Sequence, residues 1–338
     1  MHGKAVHSSA KRRLRVADSV LDCIGQTPIV RLSRLFDSTE SEVLAKLEFL
    51  NPGGSVKDRP ARFIVEAGLA TGAISRETHL VESSSGNFGI ALAMVACVHG
   101  LQFTCVVDPH TCAANLQILR ELGADTHIVE TPDENGGFLG ARIARVKQLL
   151  HEFPNSYWIN QYANELNAQA HAEGTAQEIL DATDGDFEVF VAAVSTTGTV
   201  TGVARRLREV TPGIRVVAVD AVGSVIFGGT PGERRLPGMG ASRVPELADP
   251  RLVDEVIYVD EASAIEACRS LARAEGIFAG ASSGAVVEAV RRLVLSEPPQ
   301  RVVTLLSDRG ERYLDSVYSN AFEASPTREA GSTVTRSD

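Results

Sequence analysis

The chain has 338 residues, 44% apolar and 22% charged, an ordinary mix for a folded soluble protein and enough length for two lobes. Its net charge of −10 argues against nucleic acid and anionic membranes as partners, and no apolar run approaches the length of a membrane span. Five cysteines without a CxxC pair and eight histidines without HExxH spacing favour a reducing, cytoplasmic setting and no metal.

Residues 1–17 are basic but lack an apolar core, so they read as a disordered leader rather than a secretory signal. Ser19–Ile24 predicts a short helix, and Gly25-Gln-Thr-Pro28 a turn into a strand at Ile29–Leu32. A strand-like run, Val43–Leu50, leads into Asn51-Pro-Gly-Gly-Ser-Val-Lys-Asp-Arg59, followed by a helix over Ala61–Leu69. Ser55 is a good helix cap and Asp58 suits the positive end of a first turn, whereas Lys57 there would oppose the dipole. Its plain alternative is a solvated surface lysine, the commoner fate of any one lysine. The sharper reading is an amine held among backbone amides, suited to a Schiff base with an aldehyde such as pyridoxal phosphate.

Strand–loop–helix units follow in series. The strands are His79–Glu82, Phe103–Val107, His127–Glu130 and Tyr157–Gln161. The helices are Ile90–His99, Ala113–Leu122, Phe138–Leu150 and Asn164–Ala182. The second half repeats the scheme with strands Phe187–Val194 and Arg215–Asp220 and a helix Val200–Val210. Ala221–Leu252 is a long irregular segment, helices follow at Ala262–Ala274 and Ser283–Leu293, and the last strand is Arg301–Leu306. This alternation predicts an α/β fold with mainly parallel sheets. Three of the cysteines lie in apolar segments and read as buried filler. The polar tail, 321–338, reads as disordered.

Three loops of small residues follow strands, where ligands bind in open α/β sheets. Ser195-Thr-Thr-Gly-Thr199 suits a dianion at a helix start, Ser83-Ser-Ser-Gly-Asn-Phe-Gly89 a carboxylate, and Ser282 of Gly280-Ala-Ser-Ser-Gly284 a pyridine nitrogen. Each alone is equally well an ordinary helix cap.

Together and in order, the Lys57 stretch, Ser84-Ser-Gly-Asn87, the 195–199 loop and Gly280-Ala-Ser-Ser-Gly284 resemble the cysteine synthase / cystathionine β-synthase family of fold-type II pyridoxal phosphate enzymes, over about Asp18 to Asn320. The resemblance implies the tryptophan synthase β-like fold, with a larger lobe of 18–52 and 161–320 and a smaller mobile lobe of 53–160. It also implies a homodimer. Lys57 would carry the cofactor, Asn87 bond its ring hydroxyl, Ser195, Thr196, Thr197, Gly198 and Thr199 hold its phosphate, and Ser282 face its ring nitrogen. Ser83, Ser84, Ser85 and Gly86, with Gln161 nearby, would hold the substrate α-carboxylate.

Three departures from the family pattern stand out. Ser195 and Thr197 replace glycines, Tyr162 follows Gln161, and Arg243 lies in Leu236-Pro-Gly-Met-Gly-Ala-Ser-Arg-Val-Pro-Glu246. With Asn160-Gln-Tyr-Ala-Asn-Glu-Leu-Asn167 and Ala218-Val-Asp-Ala-Val-Gly-Ser-Val-Ile-Phe-Gly228, they resemble a branch of the family that joins O-phospho-L-serine to the amine of L-glutamate on the way to 2,3-diaminopropionate. Arg243 is then expected to read the phosphate of the donor, with a surface ion pair to Glu246 or Asp249 as its alternative. A cysteine synthase using sulfide is the nearer alternative for the whole chain, and a non-catalytic binding protein the more distant one.

Overall fold

Strand β2 (Glu42–Leu47) is buried on both faces: Val43, Ala45 and Leu47 enter one core cluster and Leu44 another, with the buried Lys46 on the Leu44 face. That two-sided pattern is what a strand covered by helices on both sides requires. The computed structural model describes residues 16–319 apart from Asn135 and Pro299, so the leader and tail readings fall outside the described residues except at Val16 and Ala17.

β2 belongs to a six-stranded sheet in the order β1-β2-β10-β7-β8-β9, whose members besides β2 are β1 (Ile29–Arg31), β7 (Val189–Ala193), β8 (Arg215–Ala221), β9 (Glu255–Val259) and β10 (Arg301–Leu306). Only the β1–β2 pairing is antiparallel. Helices α8 (Glu261–Glu275) and α9 (Ala281–Ser296) cover one face, and α6 (Gln177–Thr183) and α7 (Gly198–Val210) the other. A second, wholly parallel sheet runs β5-β4-β3-β6, from β3 (His79–Ser83), β4 (Gln102–Val107), β5 (Asp125–Ile128) and β6 (Ser156–Trp158). Its faces are covered by α1 (Asp58–Thr71), α2 (Asn87–His99) and α3 (Ala113–Glu121) on one side, and by α4 (Phe138–Glu152) on the other.

The structure departs from the sequence reading in four places. β9, an edge strand beside β8, was not anticipated. The expected helix 164–182 is α5 (Glu165–Ala170), a π turn (His171–Ala176) and α6 in series. Lys57 lies at the N-cap of α1, ahead of its first turn, and Ser55 caps no helix but accepts the Lys57 backbone N–H at 3.2 Å. Two cysteines are buried, Cys105 and Cys268, not three; Cys97 is on the outer face of α2.

The two sheets are joined by a buried ionic group at the start of α1. Arg59 donates to Glu48 at 2.6 and 2.8 Å and to both oxygens of Glu178 at 2.7 Å, and Lys46 pairs with Glu178 at 2.7 Å. Burial alone would push the Glu48 carboxyl up, but Arg59 holds it below the ordinary range. Removing one partner of such a group leaves a charge stranded away from water. Arg59→Ala is therefore expected to destabilise the protein by about 3–5 kcal/mol, seen as a lower urea midpoint. A loss below about 1 kcal/mol would mean that Lys46 alone compensates Glu48.

Candidate active site

The two sheets aim the C-terminal ends of their strands at one cavity. Lys57 arrives from the loop after β2, Ser83 to Asn87 from the end of β3, and Ser195 to Thr199 from the loop after β7. Leu305 and Ser307 come from the end of β10. Of the residues expected at the site, Lys57, Ser83, Ser84, Ser85, Gly86, Asn87, Gln161, Tyr162, Ser195, Thr196, Thr197, Thr199 and Ser282 line this cavity. Gly198 stands just behind the wall. A side chain there would lie 2.4 Å from Asn167 Oδ1, and Asn167 in turn donates to the Gln161 carbonyl at 2.7 Å.

The Lys57 amine is pulled down to about 8 by burial, against the Asp308 carboxylate, which favours its charged form. Part of the amine is therefore neutral at physiological pH, as a nucleophile or base requires. The 83–86 loop rests on Glu82, a buried carboxyl pushed up to about 7 by burial, which accepts the backbone N–H groups of Ser83 at 2.6 Å and Gln161 at 3.1 Å. Ser84 Oγ accepts from Gly89 N–H, whereas the buried Ser83 Oγ has no hydrogen-bond partner among the described residues. Asn87 donates through Nδ2 to Asp308 at 2.7 Å and accepts from Arg312, which fixes its amide orientation and leaves one Nδ2 hydrogen over.

At the other wall, Thr197 is the N-cap of α7 with φ of 63°, a left-handed conformation that is rare for a β-branched residue. The turn aims the first amides of α7 at the cavity, an arrangement that suits an anion. Ser195 donates to the Gly240 carbonyl at 3.2 Å, tying this loop to the 236–247 segment.

Arg243 makes the ion pair to Glu246 that the sequence reading gave as its alternative. It does not line the cavity; it pairs with Glu246 at 3.4 Å and lies over the Tyr162 ring at 5.3 Å. The i,i+3 spacing made that local pair available without any ligand. The arginine in the cavity wall is Arg142, on α4, which sequence reasoning missed. It is ion-paired with Asp108 at 3.3 Å, and its buried Nε and Nη1 find no hydrogen-bond acceptor among the described residues. Nothing in its sequence neighbourhood sets it apart from Arg145, the other arginine of that helix.

A family model described as "Pyridoxal-phosphate dependent enzyme" matches residues 20–308. The chain belongs to that family. A curated relative, the N-(2-amino-2-carboxyethyl)-L-glutamate synthase of Ralstonia nicotianae, is 56% identical over 310 residues, covering 91% of this chain and 92% of its own length. Among solved structures, the O-acetylserine dependent cystathionine β-synthase of Helicobacter pylori is 34% identical with a TM-score of 0.84, over 90% of this chain and all of that one. An O-ureido-L-serine synthase is 33% identical with a TM-score of 0.83, over 94% and 98%.

The cavity's chemistry fits pyridoxal phosphate: one buried, partly neutral amine for its aldehyde, and hydroxyls and helix-end amides for its phosphate. The buried amine has a thermodynamic consequence in the cofactor-free protein. The native state releases the Lys57 proton near pH 8, the unfolded chain near 10.5. Below pH 8 both hold it, so the native state carries the whole cost of a buried charge; between the two values that cost fades. Cofactor-free protein should therefore gain stability across this window relative to Lys57→Met. At pH 7 Lys57→Met should be the more stable by up to about 3 kcal/mol. Urea unfolding of both proteins at pH 7 and pH 10 checks the sign.

Proposed function

We propose that this protein joins O-phospho-L-serine to the amine of L-glutamate by β-replacement, giving N-(2-amino-2-carboxyethyl)-L-glutamate and phosphate, a step towards 2,3-diaminopropionate. The observation that carries the reading is Arg142, a guanidinium in the wall of the cavity of Lys57, Tyr162 and Ser195, paired with Asp108 but with its buried Nε lacking an acceptor among the described residues. Both proposed substrates bring an anionic group beyond the α-carboxylate, and a permanently charged, fork-shaped donor suits it. Sulfide would bring none. The relative from Ralstonia nicotianae, an N-(2-amino-2-carboxyethyl)-L-glutamate synthase, supports the same assignment.

When bound, pyridoxal phosphate acidifies the Cα–H of an amino acid attached through its aldehyde carbon. The residues divide the remaining work. Lys57 removes that proton from the donor and later returns it to the product. The Ser83–Gly86 loop, with the unpaired Ser83 hydroxyl and Gln161, holds the α-carboxylate, so that the Cα–H faces Lys57. Asn87 gives its remaining hydrogen to the ring hydroxyl. Ser282, a neutral hydroxyl at the start of α9, faces the ring nitrogen and leaves it largely unprotonated, which favours loss of a β-substituent over transamination. Thr196 to Thr199 hold the phosphate of the cofactor. Arg142 neutralises the departing phosphate of the donor or the carboxylates of glutamate, and Tyr162 and Ser195 shape the space for that larger nucleophile.

As parts of the same reading, the chain works as a cytoplasmic homodimer. The smaller lobe, 53–160, moves over the larger, 18–52 and 161–320.

The test is product analysis by mass spectrometry after incubation with O-phosphoserine and a panel of amines, with sulfide included. The glutamate adduct should dominate; cysteine as the main product would replace this reading with that of a cysteine synthase. Losing a charge-assisted hydrogen bond costs roughly 1.5–3 kcal/mol. Arg142→Ala should accordingly lower kcat/KM for adduct formation by about ten- to a hundredfold, and Arg142→Lys should recover only part. An unchanged kcat/KM in Arg142→Ala would remove this arginine from substrate recognition.

A further inference from the structure

His171 is fully buried in the π turn that packs against α7, the helix whose start forms the cavity's anion wall, and it contacts that wall directly. Its Nε2 lies 3.2 Å from Oγ1 of Thr199, the cavity-lining residue on the first turn of α7, and its Nδ1 lies 2.9 Å from Oγ1 of the buried Thr175. Two features of the backbone bring it there. The π turn of His171–Ala176 interrupts the helix at this residue, a device common at functional sites. Gly202 lets α7 approach closely: a side chain there would lie 1.9 Å from the Ala168 carbonyl and 3.0 Å from His171 Cβ.

A threonine hydroxyl has one hydrogen to give. If Thr199 gave it to His171, the cavity would face only oxygen lone pairs at this point, which repel an anion. If His171 carries its proton on Nε2 and donates it to Thr199, the Thr199 hydrogen is free to point into the cavity. Thr175 must then donate to Nδ1, and the hydrogen bonds run in one direction, from Thr175 through His171 and Thr199 to the ligand. Burial, with Lys57 and Arg59 nearby, holds the imidazole well below its ordinary range, so it is neutral and has one hydrogen to place.

We infer that His171 is a positioning residue for the cofactor's phosphate, fixing the direction of the Thr199 hydroxyl through a neutral Nε2–H tautomer. The inference rests on the assignment of Thr196 to Thr199 to the phosphate. It adds a residue outside the cavity wall whose effect depends on the ligand's phosphate and not on its ring.

The test uses the full-length protein freed of cofactor and titrated with pyridoxal phosphate and with pyridoxal, which lacks the phosphate. Binding is followed by visible absorbance and by fluorescence of Trp158. The variants are chosen by reach: a glutamine amide can replace the Nε2–H donor, whereas an asparagine amide can satisfy Thr175 but not Thr199. His171→Asn and His171→Leu should weaken pyridoxal phosphate about tenfold and leave pyridoxal within about twofold, and His171→Gln should stay within about threefold of the parent for both. Thr199→Val should weaken pyridoxal phosphate similarly, and combining it with His171→Asn should add little, as for two residues acting through one contact. Equal weakening of both ligands in His171→Asn would overturn the inference in favour of a packing role. So would an effect of Thr199→Val with none of His171→Asn. If Thr199→Val leaves pyridoxal phosphate affinity unchanged, the phosphate assignment of the loop fails, and the inference with it.

Discussion

The position of Lys57 depends on the buried ionic group two residues further along the chain. Arg59 is clamped between Glu48, just after β2, and Glu178 on α6, while Lys46 of β2 reaches the same Glu178. Two cations and two carboxylates balance in charge, and Glu178 is held near 2 by Arg59 and Lys46 against the opposing effect of burial. Such a group is a weak source of net stability, since well-packed apolar residues often do as well. Its contribution is geometric. Each carboxylate accepts from a planar fork with fixed directions, so the first turn of α1, and Lys57 immediately before it, cannot slide along β2. The Asn51-Pro-Gly-Gly turn is held in the same way, by Asn51 donating to Glu48 and by Asp58 accepting from Gly53.

From that fixed point the site is assembled by three layers of support. Glu82 holds the carboxylate loop from below, and Asn167 links Gln161 to the anion wall. Asp308 orients Asn87 while itself accepting from Tyr313 at 2.6 Å. The polar atoms that face the cavity are thus positioned by buried groups one step further back, so the wall is pre-ordered before any ligand arrives.

Much of this was legible in the sequence: the 83–89 and 195–199 loops each follow a strand and open a helix, which brings them to the C-terminal edges of their sheets, whereas 280–284 follows α8. Lys57, Asn87, the 195–199 loop and Ser282 were brought together by the resemblance of their motifs to the family. What was not legible depended on side chains reaching across space. Arg142 sits on an amphipathic helix with one other arginine, Arg145, and only the packing of α4 against the second sheet turns it inward. Arg243 stood out for the opposite reason, as a cation in a loop of glycine and proline, and its pair with Glu246 three residues on follows from the local spacing. β9 escaped notice because Glu255–Val259 follows thirty irregular residues and forms a half-buried edge, without the unbroken apolar run of the inner strands. His171 read as one more residue of an ordinary helix, since a π turn leaves no mark on hydrophobic periodicity.

The π turn also changes what that stretch of chain can tolerate. One extra residue in the turn shifts the angular phase between the segments on either side. Before it, α5 presents Asn167 and Ala168 to α7; after it, α6 presents Glu178 to Arg59. A regular helix would put these two sets of side chains out of step, with one seated and the other rotated away. The segment thus behaves as a phase adapter between the ligand wall and the joint beneath Lys57, and its length in residues is constrained as tightly as its composition. Deleting one of Ala172, Gly174 or Ala176 would leave every polar side chain in the sequence and still turn either the wall or the joint out of register.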